Sequence, residues 1–402
     1  MELPQRVRRI LSVLSSGGYR GYLVGGCVRD ACMGKAPHDF DLATDATPEE
    51  MRQVFRDFRL IETGIRHGTL TVLIDHEPFE VTTFRIDGAY PDHRHPDSVT
   101  FTRRIEDDLA RRDFTVNAMA YDGSALVDPF GGVRDVRDKV LRAVGDAQVR
   151  FDEDGLRILR ALRFAAVLGF SIEPDTAKAV RQCRELLRKI AVERLYAEMR
   201  KLLSGENAAA VLTEFADVIR VFLPELSETG LRAVEKTQPD GLLRLALLLE
   251  GADAETVLRR LHADRRTIRR VCLLHTLPLT DARHLLAAAA EDAYRAVGYA
   301  AALGRIDTQR QAQFCRELDA LLAEKPCLSL RELAVNGSDL SALGYAGREI
   351  GQMLDALLEQ VLSGRLPNER EALLGFAAGT AHVHPDNAAL AAEQKSGQNT
   401  DT

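Results

Sequence analysis

Residues 22–44 read YLVGGCVRDACMGKAPHDFDLAT, and the fold turns on how this stretch is read. Tyr22-Leu23-Val24 predicts a short apolar strand, Gly25-Gly26 a turn, and Cys27-Val28-Arg29-Asp30 the start of a helix. A second extended segment then carries Asp39-Phe40-Asp41. Side chains at i and i+2 of a strand share a face, so the two carboxylates repel each other unless a cation lies between them. Hard oxygen ligands of that kind suit Mg²⁺. A glycine pair that opens a helix leaves backbone N–H groups free to receive an anion such as a nucleotide phosphate. Either feature alone is an ordinary turn. Both within one strand–turn–helix–strand unit point to nucleotidyl transfer.

The stretch resembles the signature of the class II nucleotidyltransferases of the polymerase-β superfamily, the tRNA CCA-adding enzymes and bacterial poly(A) polymerases. Their pattern is LVGG-x-VRD followed by D-x-D-x-AT, and LVGGCVRD and DFDLAT fit it without departure. The resemblance implies an α+β chain: a small polymerase-β-like head of mixed sheet and helices, followed by an all-α neck, body and tail. The expected division is a head over 1–143, a neck over 144–206, a body over 207–325, a tRNA-binding tail over 326–382 and a disordered end over 383–402.

Within the head, Thr47-Pro48-Glu49-Glu50 supplies an N-cap, an N1 proline and a capping-box glutamate, so a helix begins there. Two strand-like runs follow, 68–74 and 79–85, and Asp75-His76-Glu77-Pro78 between them predicts a hairpin. Glu80 sits inside the second run. Buried there, it would need a partner such as a metal; otherwise it faces solvent. The polar, Pro- and Gly-punctuated segment 87–104 is long for a structureless connection. In the resembling family this position holds a flexible loop needed for the switch to terminal A addition. Arg111-Arg112-Asp113-Phe114-Thr115-Val116-Asn117-Ala118 matches the family's RRDFT-x-NA, and Asp128-Pro-Phe-Gly-Gly132 is a turn closing the head. Two arginines offer fork donors to a triphosphate, and Asp113 can accept from a ribose hydroxyl.

From Asp152 the pattern is helical. Arg157, Arg160 and Arg163 fall on one face, and Ile158, Leu159, Leu162, Ala165 and Ala166 on the other. From spacing alone, Asp154 and Arg157 are an i,i+3 salt bridge on a solvated face. The family carries EDxxR here as an amino-acid template for the incoming base. The carboxylate accepts from an exocyclic amine and the guanidinium donates to a ring acceptor. Cytosine and adenine fit that pair; uracil and guanine leave polar groups unpaired. The helix around Ala191-Val-Glu-Arg-Leu-Tyr-Ala-Glu-Met-Arg-Lys-Leu-Leu203 resembles the family's ERI-x-x-E-x-x-KLL helix and is expected only to buttress its predecessor. Leu/Ala-rich helices follow, with breaks at 204–206, 238–241 and 277–281. The basic run 258–270 offers Arg265, Arg266, Arg269 and Arg270 to phosphates, or to plain solvent. Residues 333–369 resemble the tail that in this family meets the elbow of tRNA.

A net charge of −7 does not advertise a nucleic-acid binder, but clustered arginines can make a local patch. Six cysteines without metal-ligand spacing suggest reduced, cytoplasmic thiols, and the first helix is amphipathic rather than a signal peptide. The expected activity is template-independent addition of CCA to the 3′ end of tRNA from CTP and ATP with Mg²⁺. Asp39 and Asp41, joined by Glu80, are the expected catalytic carboxylates, with Asp39 and Asp41 the metal ligands. Gly25, Gly26, Arg29, Arg111, Arg112, Asp113, Asn117, Asp154, Arg157, Arg160 and Arg163 are expected around the nucleotide. The rival readings are a poly(A) polymerase, an A-only enzyme, and an inactive RNA-binding protein. Gly64-Ile-Arg-His-Gly-Thr69 and the tail resemblance favour CCA addition over the first, and intact Asp39, Asp41, Asp154 and Arg157 speak against the last.

Overall fold

A computed structural model describes residues 2–37, 39–91 and 96–381. It divides into two compact units, 1–268 and 269–402. The expected disordered end at 383–402 lies outside the described residues, as does the middle of the 87–104 segment. Among the described residues, no helix is long and apolar enough to cross a membrane.

The head is built on a seven-stranded sheet, among the described residues, in the order β3-β4-β5-β2-β1-β8-β9. Its strands are β1 (Gly21–Val24), β2 (Leu42–Thr44), β3 (Arg59–Ile61), β4 (Thr69–Ile74), β5 (Glu77–Thr83), β8 (Ala120–Tyr121) and β9 (Leu126–Val127). Strands β2 and β5 run parallel, with Leu42 opposite Val81, and the other pairs are antiparallel. The expected hairpin joins β4 to β5 through Asp75 and His76. Both take positive φ (50° and 68°), as a two-residue type I′ turn requires. A small ribbon of β6 (Arg85–Asp87) and β7 (Val99–Phe101) flanks the sheet.

Helix α1 (Gln5–Ser16) buries Val7, Ile10 and Leu14. Helix α2 (Gly26–Cys32) follows the glycine turn. Helix α3 (Pro48–Val54) starts on the predicted capping box, with Thr47 and Glu50 each receiving the other's backbone N–H. Helices α4 (Ile105–Ala110) and α5 (Gly132–Asp138) complete the head. At the start of α5, Asp128 accepts from the N–H groups of Gly132 and Val133 at 2.7 and 3.0 Å. The 128–132 turn thus opens a helix.

The parallel pair β10 (Val140–Leu141) and β11 (Ser171–Ile172) encloses the first two helices of the neck. The neck helices are α6 (Ala147–Glu153), α7 (Leu156–Leu168), α8 (Pro174–Gln182) and α9 (Val192–Leu203). On α7 the predicted apolar face is buried, and so are Ala161 and Phe164. The arginine-bearing side is therefore not a solvated face but is packed against the head and α9. Chain breaks after Leu203, before Gly241 and after Thr276 fall where the sequence placed them. In the second unit, helices at Arg348–Leu362 and Arg370–Ala381 close on a core of Leu340, Leu357, Leu373 and Ala377.

Candidate nucleotide site

The site starts from the glycine turn. Gly25 has φ 74°, a left-handed value that favours glycine, and a Cβ on it would lie 2.9 Å from Nη1 of Arg112. The missing side chain is the space the guanidinium occupies. Arg112 donates to the carbonyl of Asn117 (3.4 Å) and to Asp108 (3.3 Å), while Arg111 grips Asp108 at 2.7 and 2.9 Å. Asp108 on α4 is buried. Arg29 donates to Oδ1 of Asn117 at 2.7 Å and to Asp30, and Asn117 donates to Asp113 at 3.1 Å. Asn117 thus ties the glycine-turn helix to the RRD segment.

Asp113, expected to accept from ribose, is already filled. It receives N–H of Phe114 (2.9 Å), Nδ2 of Asn117, and Nε and Nη2 of Arg160 (3.0 and 2.7 Å). A carboxylate has about four acceptor positions, so its role here is to hold Arg160. Burial would raise its pKa, but Arg160 and the Asn117 amide more than offset this and keep it below the ordinary value.

Asp39 and Asp41 precede β2 rather than lying on it, and both side chains are exposed. The carbonyl of Asp41 still accepts from Val24 N–H at 3.0 Å, which keeps the segment in register with β1. Desolvation by the surrounding protein raises the Asp41 pKa; Arg112 opposes this and the neighbouring Asp39 adds to it. A pair of mutually repelling carboxylates is a donor set that a hard divalent cation fits. Glu80 is exposed, so no burial cost obliges it to find a metal. The β2–β5 register, continued one residue, sets it abreast of Asp41. Among the described residues, no three His, Cys, Asp or Glu side chains converge closely enough to hold a metal.

The neck supplies the opposite wall. The simple Asp154–Arg157 bridge is not what forms. Asp154 accepts from Leu156 N–H (3.1 Å) and from Arg194 on α9 (3.2 Å). Arg157 pairs with Glu153 and donates to the carbonyls of Arg150 (3.1 Å) and Arg111 (3.0 Å). Arg163 pairs with Glu198 of α9 at 2.6 Å, and Arg160 stands 3.9 Å from the same carboxylate. Helix α9 buttresses its predecessor as expected, and it does so through charge: Arg194 ties to Asp154, and Glu198 to Arg163 of α7. Glu198 lies on the stripe of Leu195, Met199 and Leu202, and a carboxylate on a buried apolar stripe signals a cationic partner.

The 87–104 segment reaches the head's Arg111 through its first residues. The Tyr90 hydroxyl donates to Asp87 at 2.7 Å, and Asp87 lies 3.6 Å from Arg111. Desolvation and the Asp87 hydrogen bond push the Tyr90 pKa up to about 12. The basic run is arranged differently. Arg265, Arg266 and Arg269 are exposed, whereas Arg270 grips Asp292 at 2.6 Å through both Nε and Nη2.

Three family profiles match the chain. They are the poly A polymerase head domain over 21–142, the probable RNA and SrmB-binding site of polymerase A over 169–229, and the putative domain 2 of tRNA nucleotidyltransferases over 236–377. The CCA-adding enzyme of Limosilactobacillus fermentum is 38% identical over 389 residues, covering 91% of this chain and 94% of its own. That of Geobacillus stearothermophilus is 37% identical over 402 residues, covering 92% and 96%. The crystal structure of the Bacillus stearothermophilus CCA-adding enzyme in complex with CTP superposes with a TM-score of 0.81 at 32% identity, over 96% of this chain and all of that one. With head, neck and helical remainder all matched, the chain belongs to the family of CCA-adding tRNA nucleotidyltransferases.

Proposed function

We propose that the chain adds CMP, CMP and AMP to the 3′ end of tRNA from CTP and ATP, choosing each base with protein side chains. The observation that carries this is the convergence of Gly25, Arg29, Arg111, Arg112 and Asn117 from the head with Arg157, Arg160 and Arg163 from the neck. The head arginines would take the triphosphate. Asp154 and Arg157 would read the base, the first held by Arg194 and the second by Glu153. Exposed Arg265, Arg266 and Arg269 would meet tRNA phosphates. The proposed division is a head to residue 143, a neck to 206, a body to 325 and a tRNA-binding tail beyond.

The divalent ion is Mg²⁺, with Asp39 and Asp41 its ligands. Bound there, it would supply activation of the terminal 3′-hydroxyl and neutralisation of the leaving pyrophosphate. Arg112, beside Asp41, would steady the phosphate end of the nucleotide. The head profile is shared with poly A polymerases; likeness to CCA-adding relatives over nine-tenths of the chain favours the tRNA reading. Six cysteines outside any disulfide suit the cytoplasm. The test is incubation with tRNA transcripts ending at the discriminator base, at C or at CC, each nucleotide supplied singly. CMP should enter the first two and AMP the third. AMP on all three would mean poly(A) synthesis, and AMP alone on the third an A-only enzyme.

A further inference from the structure

Phe164 is on the arginine-bearing helix, is 7% exposed, and has no part in the roles above. Three guanidinium groups gather round its ring. Arg163 lies 3.8 Å from the ring centroid, Arg160 5.3 Å, and Arg29, from the glycine-turn helix of the head, 5.4 Å. The ring of Phe114, next to Asp113, meets it edge-on, with centroids 5.8 Å apart and planes at 78°. One benzene ring is thus where head and neck arginines converge, and it is itself locked by a second ring from the RRD segment.

A guanidinium near an aromatic ring is attracted by the ring quadrupole and is weakly hydrated, so it settles without losing much solvation. Three like charges so close repel, and Asp30, Asp113 and Glu198 offset them. The carboxylates fix where each arginine is tied; a shared ring limits how each can turn. Leucine would fill much of the space but offers no quadrupole.

We propose that Phe164 is a positioning residue, the shared pedestal that aligns Arg29, Arg160 and Arg163 toward the triphosphate and sugar of the incoming nucleotide. This rests on the reading above that those arginines face the nucleotide. Phosphates and sugar are common to CTP and ATP, so loss of the pedestal weakens both alike. The base is read at Asp154 and Arg157, so selection between CTP and UTP is unaffected.

The experiment is steady-state incorporation on tRNA by Phe164→Leu, Phe164→Tyr and a series of fluorinated phenylalanines at Phe164, with melting temperatures measured in parallel. Fluorination withdraws charge from the ring face at nearly constant size. Phe164→Leu should raise KM for CTP and ATP together by about tenfold, with kcat within about twofold of the parent. The CTP/UTP ratio should stay put. Phe164→Tyr should restore KM, each added fluorine should raise it further, and inhibition by inorganic triphosphate should weaken in step. Should Phe164→Leu fail to fold, the fluorinated series decides. Fluorinated proteins with parental KM, or a loss confined to one nucleotide, overturn the pedestal. Arg29→Ala separates the two levels. If it raises KM while the fluorinated series does not, the ring alone is acquitted of a role. If Arg29→Ala leaves KM unchanged, the nucleotide-facing reading fails and the pedestal goes with it.

Discussion

Arginine is dense both on α7 and in the run 265–270, yet the two regions use it differently. On α7, Arg157, Arg160 and Arg163 are 12%, 31% and 14% exposed, and each is tied to a carboxylate. In the run, Arg265 and Arg269 are exposed, and Arg270 turns inward onto Asp292. A guanidinium held by buried acids has lost its rotamer freedom before a ligand arrives, so it can impose geometry. A solvated one supplies charge with little shape. The acids that confer geometry are counted in the net charge. An acidic chain and an arginine-lined site are therefore compatible: Asp113, Glu153 and Glu198 are what hold the arginines in place.

The largest expected effect tests whether the Asp39–Asp41 pair does chemistry at all. Asp39→Ala or Asp41→Ala should cut incorporation of both CMP and AMP by at least about a thousandfold, the equivalent of several kcal/mol of barrier. Retention of tRNA on a filter should hardly change. Substantial residual turnover in either variant would remove these carboxylates from the catalytic centre.

Next in size is the cost of undoing an arginine–aspartate tie in the second unit. Asp292 is buried between Arg270 and Arg295, and Asp292→Ala leaves both without it. Breaking a buried pair in this way costs about 3–5 kcal/mol, which a chemical denaturation curve should register. Burial would raise the Asp292 pKa, but the two arginines hold it below the ordinary carboxylate range. Because the folded value is the lower one, the stability it contributes is present above the unfolded pKa of about 3.9 and is lost as pH falls through the folded value. The parent melting temperature should drop below pH 4, and the variant should show a flatter acid limb. An equally steep limb would mean that Asp292 does not titrate with unfolding.

Base choice sharpens the α7 side of the comparison. If Asp154 reads the base as proposed, removing its carboxylate removes the acceptor that would face uracil O4. Each mismatch of that kind is worth about 1–3 kcal/mol, so in Asp154→Ala the CTP/UTP incorporation ratio should fall by about one to two orders of magnitude. Arg194→Ala, which frees Asp154 without removing it, should give a smaller fall. An unaltered ratio in Asp154→Ala would leave Asp154 as no more than a tie between α7 and α9.

Much of this was legible in the residues. The capping box at Thr47, the hairpin between the strands around 75–78 and the buried stripe of α7 all follow from local chemistry and periodicity, though the turn itself is tighter than expected, with Glu77 and Pro78 already in β5. What was not legible depends on contacts distant in sequence. Spacing suggested that Asp154 and Arg157 pair with each other, but the ties come from Arg194, 40 positions on, and from Glu153. Asp113 looked like a free acceptor because nothing local shows that Arg160, 47 positions away, already occupies it. Glu198 could have been found, since burial of its stripe demands a partner; which arginine answers is settled only by packing.

The smallest effect is the sharpest discriminator between the two kinds of arginine, and it lies within the run itself. Arg269 is exposed and its neighbour Arg270 is committed to Asp292. Each phosphate that a cation neutralises adds roughly 0.7–0.9 to the slope of log affinity against log salt. Arg269→Ala should therefore lower the slope for tRNA binding by about one, with the melting temperature unchanged. Arg270→Ala should do the reverse, lowering the melting temperature while leaving the slope alone. A salt series with both single variants reads the two apart where a double variant would merge them. If Arg270→Ala lost slope instead, the Asp292 tie would have to open for RNA, and a carboxylate partner would no longer separate structural arginines from those that bind phosphate.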